Sequence, residues 1–438
     1  MSSKVKKFLI ATTCLLIILS LTRFAICEVE KKDKIADDLY SQIELFSYAL
    51  TTVQAAYVEE PSAKDLIYGS LKGMLGSLDP HSQFLSPEDF KDLKSETEGK
   101  FGGLGIEISI RDNLLTVISP IEDTPAWKAG IKPLDKIVKI DTESTKDITL
   151  SEAVKKLRGD PGSKVTLTIF RESEGKILEL EITREIIHIH DVKDVMILED
   201  NIGYIRLTEF REDSYKEFRK ALDTLKEKGA DSLILDLRNN PGGLLNIAID
   251  ITEEFLPEGQ IIVSTKSRNP SQNSVTKSAN KNGAFLTCPM AVLINEGSAS
   301  GSEILAGALK DNKRAITIGT KSFGKGSVQS VIPLPDGAGL KLTTSKYYTP
   351  SDISIHGIGI QPDITAEAPV ENLLAEEKTK EAKKKEEIFN NVENKTAEKE
   401  SEAAIQTKKD SDAKAKLLAD NQVQAAMNVI KGIKIYKK

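Results

Sequence analysis

Asn295-Glu-Gly-Ser-Ala-Ser-Gly-Ser-Glu303 follows an apolar run, Met290 to Ile294, and precedes Ile304, Leu305, Ala308 and Leu309 at the spacing of one helix face. The reading is strand, sharp turn of small residues, helix, and such a turn can hold a hydroxyl out at its tip. Downstream lies Lys321-Ser-Phe-Gly-Lys-Gly-Ser-Val-Gln329, with Lys325 between two glycines. A serine hydroxyl is a weak nucleophile near neutral pH and needs a base. None of the four histidines suits: His81 sits in a turn-rich connector, His188 and His190 in an alternating strand, His356 in a Gly/Ile-rich loop. A lysine with a desolvated amine is the alternative base. Read locally, Ser300-Gly-Ser-Glu303 is equally a capping box and Lys325 a solvated cation. Local pattern does not choose among Ser298, Ser300 and Ser302.

Outward from this stretch the chain reads as α/β. Asn201 to Leu207 and Ser232 to Leu237 are strands, Tyr215 to Lys228 is an amphipathic helix, and another strand covers Ala315 to Ile318. Arg238-Asn-Asn-Pro-Gly-Gly243 leads into a helix through Ile247, Ile251 and Phe255. This alternation predicts a mostly parallel sheet, whose chemistry collects in turns at the carboxyl ends of strands. The residue after the nucleophile can supply one backbone N–H to an oxyanion hole, and the Pro241-Gly-Gly243 turn the other.

Earlier in the chain, Leu39, Ile43, Phe46, Leu50 and Val53 recur at helical steps, as do Leu66, Ile67, Leu71, Met74 and Leu75 after Pro61. Between Gly99 and Thr183 short alternating runs appear at Gly105–Ile110, Leu114–Ile118, Ile137–Ile140 and Val165–Phe170, and Thr149 with Glu152 forms a capping box. Phe101-Gly-Gly-Leu-Gly-Ile106 resembles a carboxylate-binding loop, and with Ala129-Gly-Ile131 and Leu134-Asp135 the region closely resembles a PDZ domain. In that resemblance Gly103, Leu104, Gly105 and Ile106 receive a peptide's terminal carboxylate beside a groove for strand addition.

The ends differ in character. Lys4, Lys6 and Lys7 precede a run of 15 uncharged residues, Phe8 to Thr22, the pattern of a secretory signal, with an uncleaved anchor as the alternative. Residues 1–27 carry all their charge as four basic side chains, so their removal takes the formal net charge from −6 to −10. An acidic body without a basic patch argues against a nucleic-acid partner. Beyond the leader only Cys288 remains, which permits no internal disulfide and no cysteine-based metal site. The stretch from Glu371 to about Lys416 is rich in Glu, Lys and Ala, and helical periodicity returns over Leu417 to Ile433.

Together, the PDZ segment, Asp236-Leu-Arg-Asn-Asn-Pro-Gly-Gly243, Gly297-Ser-Ala-Ser-Gly-Ser-Glu-Ile304 and Gly324-Lys-Gly-Ser-Val-Gln329, in this order and with compatible spacing, resemble the carboxyl-terminal processing proteases, or tail-specific proteases. The resemblance covers roughly Ile35 to Pro369. It implies Ser300 as nucleophile and Lys325, 25 residues on, as general base, with Gln329 about a helical turn beyond to orient it. Gly301 stands where alanine or serine is more usual, and the Gly242–Gly243 choice stays open. The implied fold is multidomain α/β: a spiral ββα-type (ClpP/crotonase-like) core with an inserted β-rich PDZ domain and helical segments at both ends. The expected divisions are a leader (1–27), an N-terminal helical segment (28–95), the PDZ domain (96–185), the protease core (186–370) and a charged tail with a terminal helix (371–438). No cofactor or metal is expected. The expected partners are protein substrates with exposed C-terminal tails, an adaptor or a second copy, and a membrane through the N-terminus; the expected location is the bacterial periplasm, in association with the inner membrane if the leader is retained. Arg158, in Leu157-Arg-Gly159 beside the groove, is expected to couple tail binding to cleavage. The rival readings are a catalytically silent PDZ scaffold, whose mark would be loss of the serine or lysine, and an acyl-thioester enzyme on a related spiral fold.

Overall fold

The computed structural model describes residues 38–111, 113–280, 283, 285–367 and 402–436. The leader reading and most of the charged tail fall outside them. The chain divides into two units, Met1–Phe84 and Leu85–Lys438. Within the described part of the first, a helix over residues 38–56 precedes Ala63–Gly76, which Ser62 caps by accepting the Asp65 N–H. The first helix exposes apolar side chains, Leu39, Ile43 and Phe46 among them.

The second unit opens with helix Pro87–Glu98, started by a Ser86–Asp89 capping box and stopped by Gly99 at φ 69°. Two antiparallel strands, Lys100–Gly103 and Glu185–His188, then form the stem of a β-rich module. Its antiparallel sheet runs Ile106–Arg111, Leu114–Pro120, Lys136–Ile140, Lys164–Arg171 and Lys176–Thr183. Leu115, Val117, Ile137, Val165, Leu167 and Ile169 form its core with Ala153 and Leu157 of helix Leu150–Leu157. That helix starts at the Thr149–Glu152 capping box read in the sequence.

The remaining core is a sheet in the order Val192–Ile197, Ile202–Leu207, Ser232–Asp236, Met290–Ile294, Ile316–Gly319, Ile364–Thr365. Only the first pair is antiparallel. Continuous apolar strands arise because both faces are covered. Leu233, Leu235, Val292 and Ile294 pack under helices Ser214–Glu227, Leu245–Glu253 and Gly301–Asp311. The alternate residues Ile234, Ala291 and Leu293 meet Val423, Met427 and Ile430 of the terminal helix Asn421–Tyr436. Arg238 secures the start of that helix, donating to Asp420 and Gln422 at 2.7 Å each while its guanidinium also clasps Asp236.

A second, antiparallel sheet contains Ser274–Lys277, Ile261–Ser267, Gly339–Tyr348 and Ser327–Pro333. Its last strand carries Gln329, opposite Thr343. Gln329 therefore lies in extended backbone, not a helical turn beyond Lys325: Ser327–Pro333 pairs antiparallel with Gly339–Tyr348, with a register shift between Val328 and Gln329.

Candidate active site

Four loops leaving the carboxyl ends of parallel strands converge. They carry Phe210, the Gly242-Gly243 turn, Ser300 and Lys325. With Gln329, these residues line a single cleft of about 520 Å³. One wall is the strand pair bearing Gln329 and Lys341; another includes Leu93, Glu96 and Thr97 of helix Pro87–Glu98.

Ser300 sits on the turn at φ 52°, ψ −111°, a strained conformation for a residue with a Cβ. Its neighbours are spent elsewhere. Ser298 Oγ donates to Leu237 O at 2.8 Å and Ser302 Oγ to Asn240 O at 2.9 Å, and both residues are fully buried. Ser300 is half-buried and lines the cleft. The geometry thus distinguishes three serines that the sequence left equivalent.

What holds the turn is Glu303, with no accessible surface. Its Oε2 accepts the Ser300 N–H at 2.8 Å and the Lys325 N–H at 2.9 Å; its Oε1 accepts the Gly324 N–H and the Ser322 hydroxyl, both at 2.6 Å. One carboxylate therefore ties the serine turn to the lysine loop. Burial raises its pKa, and the four donors oppose that shift. The sequence reading saw Glu303 only as a capping partner. The remaining signal was its place in a helix start otherwise built of small and apolar residues.

Lys325 is half-buried. Its pKa is lowered, first by desolvation and then by the like charge of Lys341, with Glu303 acting in the opposite direction. Gln329 Nε2 donates to Ser327 Oγ at 2.8 Å.

Gly242 presses against the serine turn: a Cβ there would lie 2.7 Å from Ser300 Cβ. Its N–H donates to Asn240 Oδ1 at 2.9 Å. Asn240, fully buried and not singled out from the sequence, also donates to Leu207 O and accepts the Ala299 N–H on its carbonyl. Gly243, at φ 140°, is exposed in the cleft. Among the described residues neither the Gly243 nor the Gly301 N–H has an intramolecular acceptor.

A separate groove of about 700 Å³ lies between helix Pro87–Glu98 and helix Leu150–Leu157, lined by Phe101, Gly102, Val154 and Arg158. The Arg158 guanidinium stacks 4.6 Å from the centre of the Phe101 ring. Gly103, Gly105 and Ile106 follow on the adjoining strand and turn, and Leu104 is buried in the module's core. Glu96 lines both the groove and the Ser300 cleft.

Comparisons with known proteins give the family. Residues 201–366 match the model for peptidase family S41 and residues 102–183 that for the PDZ domain. A carboxy-terminal-processing protease of Bartonella bacilliformis is 48% identical over 336 residues, covering 76% of each chain. A carboxyl-terminal-processing protease of Synechocystis is 42% identical over 324 residues, covering 72% of this chain and 74% of that one. A solved photosystem II D1 C-terminal processing protease aligns at 30% identity and a TM-score of 0.44 over 74% of this chain and 92% of its own. The chain belongs to peptidase family S41, as a carboxyl-terminal processing serine protease with a PDZ domain.

Proposed function

We propose that this protein is an exported endopeptidase that reads the C-terminal tails of protein substrates with its PDZ domain and cleaves them by a Ser300–Lys325 acyl-enzyme mechanism. The observation that carries the reading is that the one cleft-lining serine of its turn shares a single cleft with a lysine of lowered pKa, both tied through their backbone to Glu303. Neutral Lys325 takes the Ser300 proton as Oγ attacks the scissile carbonyl. The tetrahedral oxyanion is held by the N–H groups of Gly301 and, of the glycine pair, Gly243, because Gly242 already donates to Asn240. The Lys325 ammonium then protonates the leaving amine, and water, deprotonated by the same lysine, releases the acyl product. Gln329 spends its Nε2 on Ser327 Oγ, which leaves Oε1 to accept from the lysine.

In this reading the substrate's carboxylate meets the Gly103–Ile106 loop. Arg158 reports occupancy through helix Pro87–Glu98, a wall of both groove and cleft. We also read the core as the spiral ββα type and the location as the periplasm, on the strength of residues 1–27; a protein confined to the cytoplasmic fraction would overturn the latter.

The test is incubation with an unfolded protein bearing an apolar C-terminus. Ser300→Ala and Lys325→Ala should each lose turnover while still binding the tail. Equal cleavage by wild type and both variants would sink the dyad. Tail binding by a wild type that turns over no substrate would favour a silent scaffold.

A further inference from the structure

Besides Lys325, the cleft contains one cation without an ion pair among the described residues. Lys341 lies on strand Gly339–Tyr348 opposite Val331, two residues before the Thr343 that faces Gln329, so it shares a sheet face with Gln329. It is half-buried and lines the cleft with Ser300 and Lys325. The cleft's other cation is already neutralised: Arg211 is clasped by Asp191 and Glu209. Among the described residues Lys341 has no ion pair. The acidic groups of the cleft are Glu96, on helix Pro87–Glu98, and Glu209, which pairs with Arg211. A peptide crossing this cleft therefore passes a partly desolvated ammonium that lacks a counter-ion.

We propose that Lys341 is a specificity-determining residue whose ammonium receives an acidic side chain, Asp or Glu, flanking the scissile bond of the substrate. This deepens the protease reading and rests on it for the direction of the bound chain, not for the existence of the charge. An acidic side chain there would remove the open charge and gain a charge-assisted hydrogen bond, whereas a lysine or arginine would be repelled. The same ammonium acts on the base: of the groups facing Lys325, Lys341 disfavours its protonated form and Glu303 favours it, while Arg211, Glu209, Glu96 and Tyr347 complete the surroundings of the cleft.

The test uses the full chain and a peptide series in which each position flanking the cut is in turn Glu, Gln or Lys. Wild type should prefer Glu over Gln at one position by about threefold to tenfold in kcat/KM, chiefly through KM. Lys341→Met should bring that ratio to about one, Lys341→Arg should retain it, and Lys341→Glu should favour the Lys peptide. Ratios within one variant cancel any change in the base itself. Removal of the Lys341 charge should also move the acidic limb of the pH–rate profile upward, a change that loosened packing alone would not give. A Glu/Gln ratio near one at every position in wild type, or one that survives Lys341→Met, would overturn the proposal. Such a result would leave the dyad standing as long as Ser300→Ala and Lys325→Ala are inactive. Should Lys341→Met melt early, Lys341→Arg against Lys341→Glu gives the same contrast.

Discussion

Replacing Glu303 by Gln keeps the shape of the buried clamp and removes its charge, so its consequences can be worked through atom by atom. The amide offers one carbonyl oxygen and one NH2 in place of two acceptors. In the better of its two orientations the carbonyl keeps the Ser300 and Lys325 N–H groups, while the NH2 faces Ser322 Oγ and the Gly324 N–H. Ser322 Oγ already accepts the Ile360 N–H and can rotate to accept from the amide as well. The Gly324 N–H and the Ser322 O–H then both lose the acceptor they had. A buried orphan donor costs roughly 1–3 kcal/mol, and the remaining bonds weaken from charged to neutral acceptors. Relief of the burial cost, the same effect that raises the Glu303 pKa, offsets part of this.

Global stability should therefore fall by only about 1–3 kcal/mol, while the loss is concentrated on the loop that carries Lys325, the base of the proposed mechanism. If that energy is spent in positioning Lys325, kcat should drop about tenfold to a hundredfold with little change in KM. A second readout has a definite sign. Glu303 favours protonated Lys325, so removing its charge lowers the lysine pKa further and moves the acidic limb of kcat/KM to lower pH. Lys341→Met must move it the other way. Steady-state kinetics on a short peptide between pH 5 and pH 10, with urea unfolding alongside, measures all three quantities. A Glu303→Gln enzyme with kcat within about twofold of wild type and an unmoved limb would refute the clamp, whatever its stability.

The other consequences concern the PDZ domain. Arg171 and Asp135 form a buried bidentate pair at 2.7–2.8 Å, so Arg171→Ala strands a carboxylate and should destabilise the domain by about 3–5 kcal/mol in urea unfolding; a loss below about 1 kcal/mol would mean the carboxylate is resolvated. Arg158→Ala should leave cleavage of a short untailed peptide unchanged and abolish stimulation by an added C-terminal peptide, measured as the ratio of the two rates. Unchanged stimulation would remove Arg158 from the coupling route.

Legibility from sequence follows how far apart the residues that set a feature lie. Met290–Ile294 could be read to the residue because a strand buried on both faces is an unbroken apolar run. The Thr149–Glu152 cap was equally local. In sequence Gln329 reads as a helical turn from Lys325, because its strand is defined by partners 14 residues on, at Thr343 and beyond, and its apolar residues Val328 and Val331 stand three apart. Glu303 was seen as half of a cap because three of its four donors lie about 20 residues downstream, on the lysine loop. The serines make the point most sharply. Ser298, Ser300 and Ser302 are chemically identical and two residues apart, yet a carbonyl at Leu237 takes one hydroxyl and a carbonyl at Asn240 takes another. Those carbonyls belong to the end of a neighbouring parallel strand and the turn after it, about 60 residues earlier in the chain. The same Asn240 accepts the Gly242 N–H on its side chain, so one residue of that turn occupies both a serine hydroxyl and the N–H of one glycine of the pair. No window on residues 295–303 contains that information, because the choice is made by the loop that packs against them.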